Sequence, residues 1–80
     1  MNKLINNKGE VYFNTHGVVK SYNTETGYGF LTTIDEQDDI YVHATNVLAK
    51  DKILNIGDQV SFLYTNTDKG LKAVQVRVTE

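Results

Sequence analysis

From Gly17 onward the chain reads as short runs of period two separated by clusters of turn residues, and no stretch has the spacing of a strong amphipathic helix. Five runs are legible, at residues 17–23, 28–33, 40–44, 59–65 and 73–79. Asn23-Thr24-Glu25-Thr26-Gly27 and Asn66-Thr67-Asp68-Lys69-Gly70 read as turns, and 35–39 as a charged loop. A longer connection over 45–57 has room for one helical turn near residues 46–49. Five short strands make an all-β domain. A sheet this small removes its unpaired edges best by closing into a barrel, and the absence of proline suits uninterrupted ladders.

Eighty residues suffice for one domain with a modest core. The expected division is an N-terminal arm at 1–15, mobile or added as a strand, followed by a barrel domain at 16–80. Residues 1–10 are rich in Asn and Lys with little to bury, whereas Val11-Tyr12-Phe13 is an apolar triplet able to pair or dock. There is no cysteine, so neither a disulfide nor a thiolate metal site contributes. No apolar run reaches the roughly 18 residues of a membrane span, and the start lacks the apolar core of a signal peptide. A cytoplasmic protein without membrane attachment is the expectation.

The net charge is −2, from eight Lys and Arg against ten Asp and Glu, which runs mildly against a phosphate-bearing partner. Distribution matters more than the sum. Carboxylates cluster at Asp35, Glu36, Asp38 and Asp39, while Lys20, Lys50, Lys52, Lys69 and Lys72 lie elsewhere, so one face is expected to be locally positive.

Side-chain parity in the second and third runs carries the functional signal. Alternate strand residues point to opposite faces. Tyr28 and Phe30 therefore oppose Gly29 and Leu31, and Tyr41 and His43 oppose Ile40 and Val42. The aliphatic parity matches Val60, Phe62, Val74 and Val76 and is assigned inward. In the last run Val74, Val76 and Val78 are expected on one face and Gln75, Arg77 and Thr79 on the other. Tyr28, Phe30, Tyr41 and His43 then point outward on adjacent strands. Flat exposed rings in succession suit the stacking of unpaired bases, at about 1–3 kcal/mol per base. The same rings could instead cover apolar surface, pack under the arm or form a dimer contact.

These residues also resemble a family. Gly17-Val18-Val19-Lys20-Ser21-Tyr22-Asn23 resembles the G-x-V-K-W-F-N opening of bacterial cold-shock proteins. Thr26-Gly27-Tyr28-Gly29-Phe30-Leu31 resembles their first RNP motif, K-G-F/Y-G-F-I, and Asp39-Ile40-Tyr41-Val42-His43 their second, D-V-F-V-H. Gly57-Asp58-Gln59-Val60-Ser61-Phe62 is similar to the late G-x-x-V-x-F, and Lys69-Gly70 and Ala73 fit the final turn and strand. The resemblance spans about residues 17–78. It implies a five-stranded antiparallel OB-type barrel that binds single-stranded RNA or DNA without enzymatic activity. By position, Lys20, Tyr22, Tyr28, Phe30, Tyr41 and His43 would line the site. Asp39 would hydrogen-bond a base edge, and Lys69 would sit near the strand. Asn23 would contact the strand or close its turn. The departures are Ser21 for Trp, Ala44 for Phe and Thr26 for Lys, and a connection at 47–54 offering Lys50 and Lys52 in place of an aromatic. They imply weaker affinity than typical of the family, or a function that has moved.

Other chemistry finds little support. Asp35, Glu36, Asp38 and Asp39 lack the Gly turn and spacing of a calcium loop. His16 and His43 have no zinc-ligand spacing, and no Ser-His-Asp arrangement can be identified. Thr26-Gly27-Tyr28-Gly29 is too short for a phosphate loop and no helix follows it. No catalytic residue, metal or cofactor is expected. The reading is therefore a single-strand binding module, as an RNA chaperone or cold-shock-type regulator, monomeric or weakly dimeric. The alternative is a barrel with an eroded stacking face that acts as a protein-interaction module.

Overall fold

The computed structural model describes residues 2–48 and 52–79. Six strands follow in order: β1 (Asn2–Ile5), β2 (Val11–Asn23), β3 (Tyr28–Thr33), β4 (Glu36–His43), β5 (Gln59–Thr67) and β6 (Gly70–Val78). Strands β2 to β6 close on themselves in the order β2-β3-β4-β6-β5 through the β2–β5 pairing, and β1 adds to the outside of β2. The barrel neighbours are antiparallel except for a short parallel contact of β4 with β6 at Tyr41 and Lys72. No helix among the described residues is long and apolar enough to cross a membrane.

β2 is long because it pairs with two neighbouring strands of the barrel in succession. Phe13 to Val18 pair with β5 and Val18 to Asn23 with β3. Where the chain passes Thr32, a Cβ on Gly17 would collide with the Thr32 carbonyl oxygen, so this crossing needs glycine. Inside lie Val19, Leu31, Ile40, Val42, Val60 and Val76, each at most 1 % exposed, with Phe62, Tyr64 and Ala73. Each large aliphatic among them contributes about 1.5–3 kcal/mol on burial, more than any exposed ion pair on this surface.

The structure decides three local readings. First, of the two forms expected for the arm it takes the added strand: Asn2–Ile5 lie antiparallel on β2, with Leu4 opposite Tyr12 and Ile5 opposite Val11. Asn6 builds the turn. Its side-chain oxygen accepts from the backbone N–H groups of Lys8 and Glu10 (3.0 Å each), and its amide donates to the Glu10 carboxylate at 2.6 Å. Second, the charged loop shrinks to a two-residue connection, Ile34-Asp35, and β4 runs through the acidic segment. Partners on the barrel wall hold these carboxylates: the Thr15 hydroxyl donates to Asp35, Tyr64 donates to Glu36 (2.9 Å) and Lys20 donates to Asp39 (2.8 Å). Third, Val74 turns outward. The β5–β6 register slips by one residue beyond Ser61, and Gln75 takes a positive φ of 52°. This bulge reverses the parity, so Ala73 and Val76 face in while Val74 sits half-buried beside Leu63. Val78, expected inward with them, is exposed at the barrel end. The helical turn foreseen near 46–49 is a 3-10 turn at Ala44–Asn46, and Ala49 and Lys50 lie outside the described residues.

Candidate functional site

β3 and β4 place four rings in one row on the outside of the barrel. Register sets Tyr28 opposite His43 and Phe30 opposite Tyr41, while Gly29, Leu31, Ile40 and Val42 turn inward. Centroids lie 4.7 Å apart for Tyr28–His43, 5.5 Å for Tyr28–Tyr41 and 6.2 Å for Phe30–Tyr41. The row therefore runs His43, Tyr28, Tyr41, Phe30 without a break. Tyr28 is 48 % and Phe30 41 % exposed, which for a small barrel is a large apolar surface left to solvent.

The polar edges of these rings are oriented. The His43 Nδ1 accepts from the Thr45 backbone N–H at 3.2 Å and lies 2.9 Å from the Thr45 hydroxyl. In its neutral form the ring therefore carries its proton on Nε2, leaving that N–H as a donor. Burial, then the neighbouring Tyr28 phenol, pushes the Tyr41 phenol above its ordinary value near 10. Tyr41 stays protonated, and so a donor, at any physiological pH.

The two positions that depart from the cold-shock pattern flank this row. A bulge at Lys20 sets Ser21, rather than Lys20, opposite Phe30. Ala44 follows His43 and donates its N–H to the Gly27 carbonyl at 2.7 Å. The row thus lacks a ring at each end. Neither Tyr12 nor Phe13 replaces the one missing at Ser21: Phe13 packs inward on Tyr64 at 5.6 Å, and Tyr12 donates to Glu10 on the hairpin. Tyr22 is half-buried against the core and donates to the Lys52 carbonyl at 2.7 Å, tying β2 to the long connection. Asn23 closes its turn by accepting from the N–H groups of Glu25 and Thr26, at 2.8 and 3.2 Å.

Charge around the row differs from the expected separation. Asp39 shares the outer face with Tyr41 and is bonded to Lys20, so acid and base meet at the edge of the ring row. The positive end lies elsewhere. Phe30 and Tyr41 open into a groove of about 460 Å3, completed by Thr67, Lys69, Gly70, Leu71 and Lys72. Lys69 thereby joins the rings, although it is distant from them in sequence. Sequence reading counted Lys72 only as a charge. The parallel contact that sets it beside Tyr41 pairs residues 31 positions apart and left no local signal. His16 is exposed on β2, and no group of three or more His, Asp or Glu suited to a metal occurs among the described residues.

The family model described as "'Cold-shock' DNA-binding domain" matches residues 15–79. The chain is 41 % identical over 63 residues to cold shock protein CapB of Pseudomonas syringae pv. tomato, covering 78 % of this chain and 90 % of that protein. It is 39 % identical over 61 residues to the cold shock-like protein CspI of Escherichia coli K12, covering 75 % and 87 %. Among solved structures it is similar to drosophila Unr CSD456, with a TM-score of 0.71 and 26 % identity. That match takes in 91 % of this chain and 29 % of the much longer Unr chain.

Proposed function

The chain belongs to the cold-shock domain family, and on that premise we propose that it binds single-stranded RNA or DNA along the outer face of β3 and β4. The unbroken row His43, Tyr28, Tyr41, Phe30 carries this reading, because successive exposed rings offer each unpaired base a stacking surface with little sequence preference. The strand leaves the row through the groove at Phe30, where Lys69 and Lys72 meet its phosphates. Lys20, Tyr22 and Asp39 border the row from β2 and β4, with Tyr22 acting mainly as a support. Asp39 has one oxygen on Lys20 and a second available to a base N–H.

The work is binding without catalysis. A protein that takes up only unpaired strand shifts RNA away from its folded forms, which is chaperone activity without chemistry. A cytoplasmic setting, where such RNA is found, suits this role.

Fluorescence anisotropy with labelled single strands and with the matching duplex tests the proposal. Single strands should bind and the duplex should not. Phe30→Ala should weaken binding by about 1–3 kcal/mol while the urea midpoint stays near the parent's, since an outward ring supports no core. Equal binding by parent and Phe30→Ala, or none by the parent at low salt, would sink the proposal. A protein-interaction module would then be the better reading.

A further inference from the structure

The N-terminal hairpin precedes the segment that matches the family, and β1 contributes no ring to the row. β1 pairs with β2 along one edge, and no described strand lies on its other edge. A strand edge with unpaired N–H and C=O groups is a template for another strand unless charge, proline or a bulge blunts it. β1 holds a single Lys, no Pro and no bulge against β2, and it leaves Leu4 51 % and Ile5 63 % exposed. Leu4 and its cross-strand neighbour Tyr12 border Leu63 and Val74, so the edge continues an apolar patch on the outer face. The Asn6 turn holds this edge as a formed strand rather than a loose tail.

We propose that β1 pairs antiparallel with β1 of a second copy about a two-fold axis at Leu4, forming a weak homodimer whose two ring rows remain open. An antiparallel edge is its own complement under two-fold symmetry, so a second copy is the occupant that needs no further sequence match. Charge and turn geometry select the register. Centring on Lys3 would set two ammonium groups directly opposite each other, which is unfavourable. Centring on Ile5 would set the apolar Leu4 opposite the polar Asn6 and leave it without an apolar partner. Centring on Leu4 joins the outer faces of the two copies, so that the Tyr12–Leu4 pairs form one apolar row. It also lays the methylenes of Lys3 over the exposed Ile5 of the second copy. A four-residue strand falls well short of the roughly 1,000 Å2 of a stable interface, so the dimer forms only as concentration rises.

The chain has no cysteine, so single cysteines report the register cleanly. In the full chain without nucleic acid, Leu4→Cys should cross-link to itself under mild oxidation. Its rate should exceed that of Thr24→Cys, a turn control away from β1, by about tenfold or more, because pairing raises the effective concentration. Lys3→Cys and Ile5→Cys should each remain near that control alone, yet link to one another when mixed. Ile5→Lys should shift the sedimentation average toward monomer with an unchanged circular dichroism spectrum. Leu4→Cys at the control rate, together with a parent that sediments as monomer throughout, overturns the proposal. Oligonucleotide binding by monomeric Ile5→Lys keeps this result separate from the proposed function.

Discussion

The Lys20 ammonium lies 2.8 Å from the Asp39 carboxylate, so a basic residue bordering the Phe30 end of the ring row is already neutralised within the protein. Both groups are exposed, and such a pair is worth at most about 1 kcal/mol to the fold. Its consequence is for binding. Lys69 and Lys72 remain to meet phosphates, and each neutralised phosphate adds about −0.7 to the slope of log affinity against log salt. The parent slope should therefore be about −1 to −2. Lys72→Ala should flatten it by about 0.7, whereas Lys20→Ala should leave it nearly unchanged. Anisotropy titrations across a salt series measure this. A parent slope steeper than about −4 would mean that phosphate contacts, not stacking, dominate.

Restoring rings at the two ends of the row should strengthen binding. Ser21→Trp places a ring opposite Phe30, and Ala44→Phe places one after His43. Each should gain about 1 kcal/mol or more in single-strand affinity, and Ser21→Trp adds the chain's only tryptophan as a fluorescent reporter. Urea midpoints and sizing exclude unfolding and association as causes. Because Phe13 packs inward on Tyr64 and Tyr12 is bonded to Glu10, the gain should not depend on the hairpin's rings, and Tyr12→Ala in parent and variant checks this. No gain from either substitution would show that the row does not act as a stacking platform.

Gly29 is the spacer that lets β2 and β3 approach under the rings. A Cβ there would collide with the Ser21 carbonyl oxygen and stand 2.7 Å from Tyr22 Cδ1 and 3.0 Å from Tyr22 Cα. Backbone cannot give way as a flexible side chain would, so Gly29→Ala must part the strands that carry Tyr28 and Phe30. The expected cost is about 1–3 kcal/mol in stability, as for overpacking elsewhere, with a parallel loss of binding. Urea unfolding and anisotropy on the same sample measure both. Parent-like values for each would refute the spacing argument.

Alkaline pH should expose the role of Tyr64. Burial first, then its bond to Glu36 and the charges of Glu36 and Asp35, pushes this phenol up to about 12 from the ordinary 10. A raised value means that the fold prefers the protonated form. Its stabilisation is full below pH 10, where the unfolded chain is also protonated, and is lost as pH rises through 12. About 2–3 kcal/mol should disappear across that window. Tyr64→Phe removes this titration, so the stability difference between parent and variant should be constant below pH 10 and shift against the parent by that amount above it. Urea midpoints at stepped alkaline pH test this, and a pH-independent difference would contradict it.

Much of the site was legible because it rests on strand parity, which is a local property. Tyr28, Phe30, Tyr41 and His43 face outward, and Leu31 and Val42 inward, as alternation requires. Parity failed at Val74, where Gln75 adopts a positive φ and adds one residue to β6. Nothing in Ala73-Val74-Gln75-Val76 announces a bulge. It arises because β6 must follow the bend of the closing barrel while keeping both Ala73 and Val76 inside. The acidic segment was misread for a related reason: carboxylates look like loop residues until a barrel wall supplies Tyr64, Thr15 and Lys20 to bond them.

The sequence by itself determined an all-β chain and an outward ring row, because side-chain alternation and turn chemistry act over a few neighbouring residues. Only the tertiary structure decided how that row ends and what edges it. Lys69 and Lys72 reach Phe30 and Tyr41 because β6 closes the barrel against β4, and Asp39 neutralises Lys20 because β2 and β4 flank β3 on the same face. These contacts join residues 19 to 42 positions apart. At such separations no local pattern constrains which side chains meet; barrel closure does.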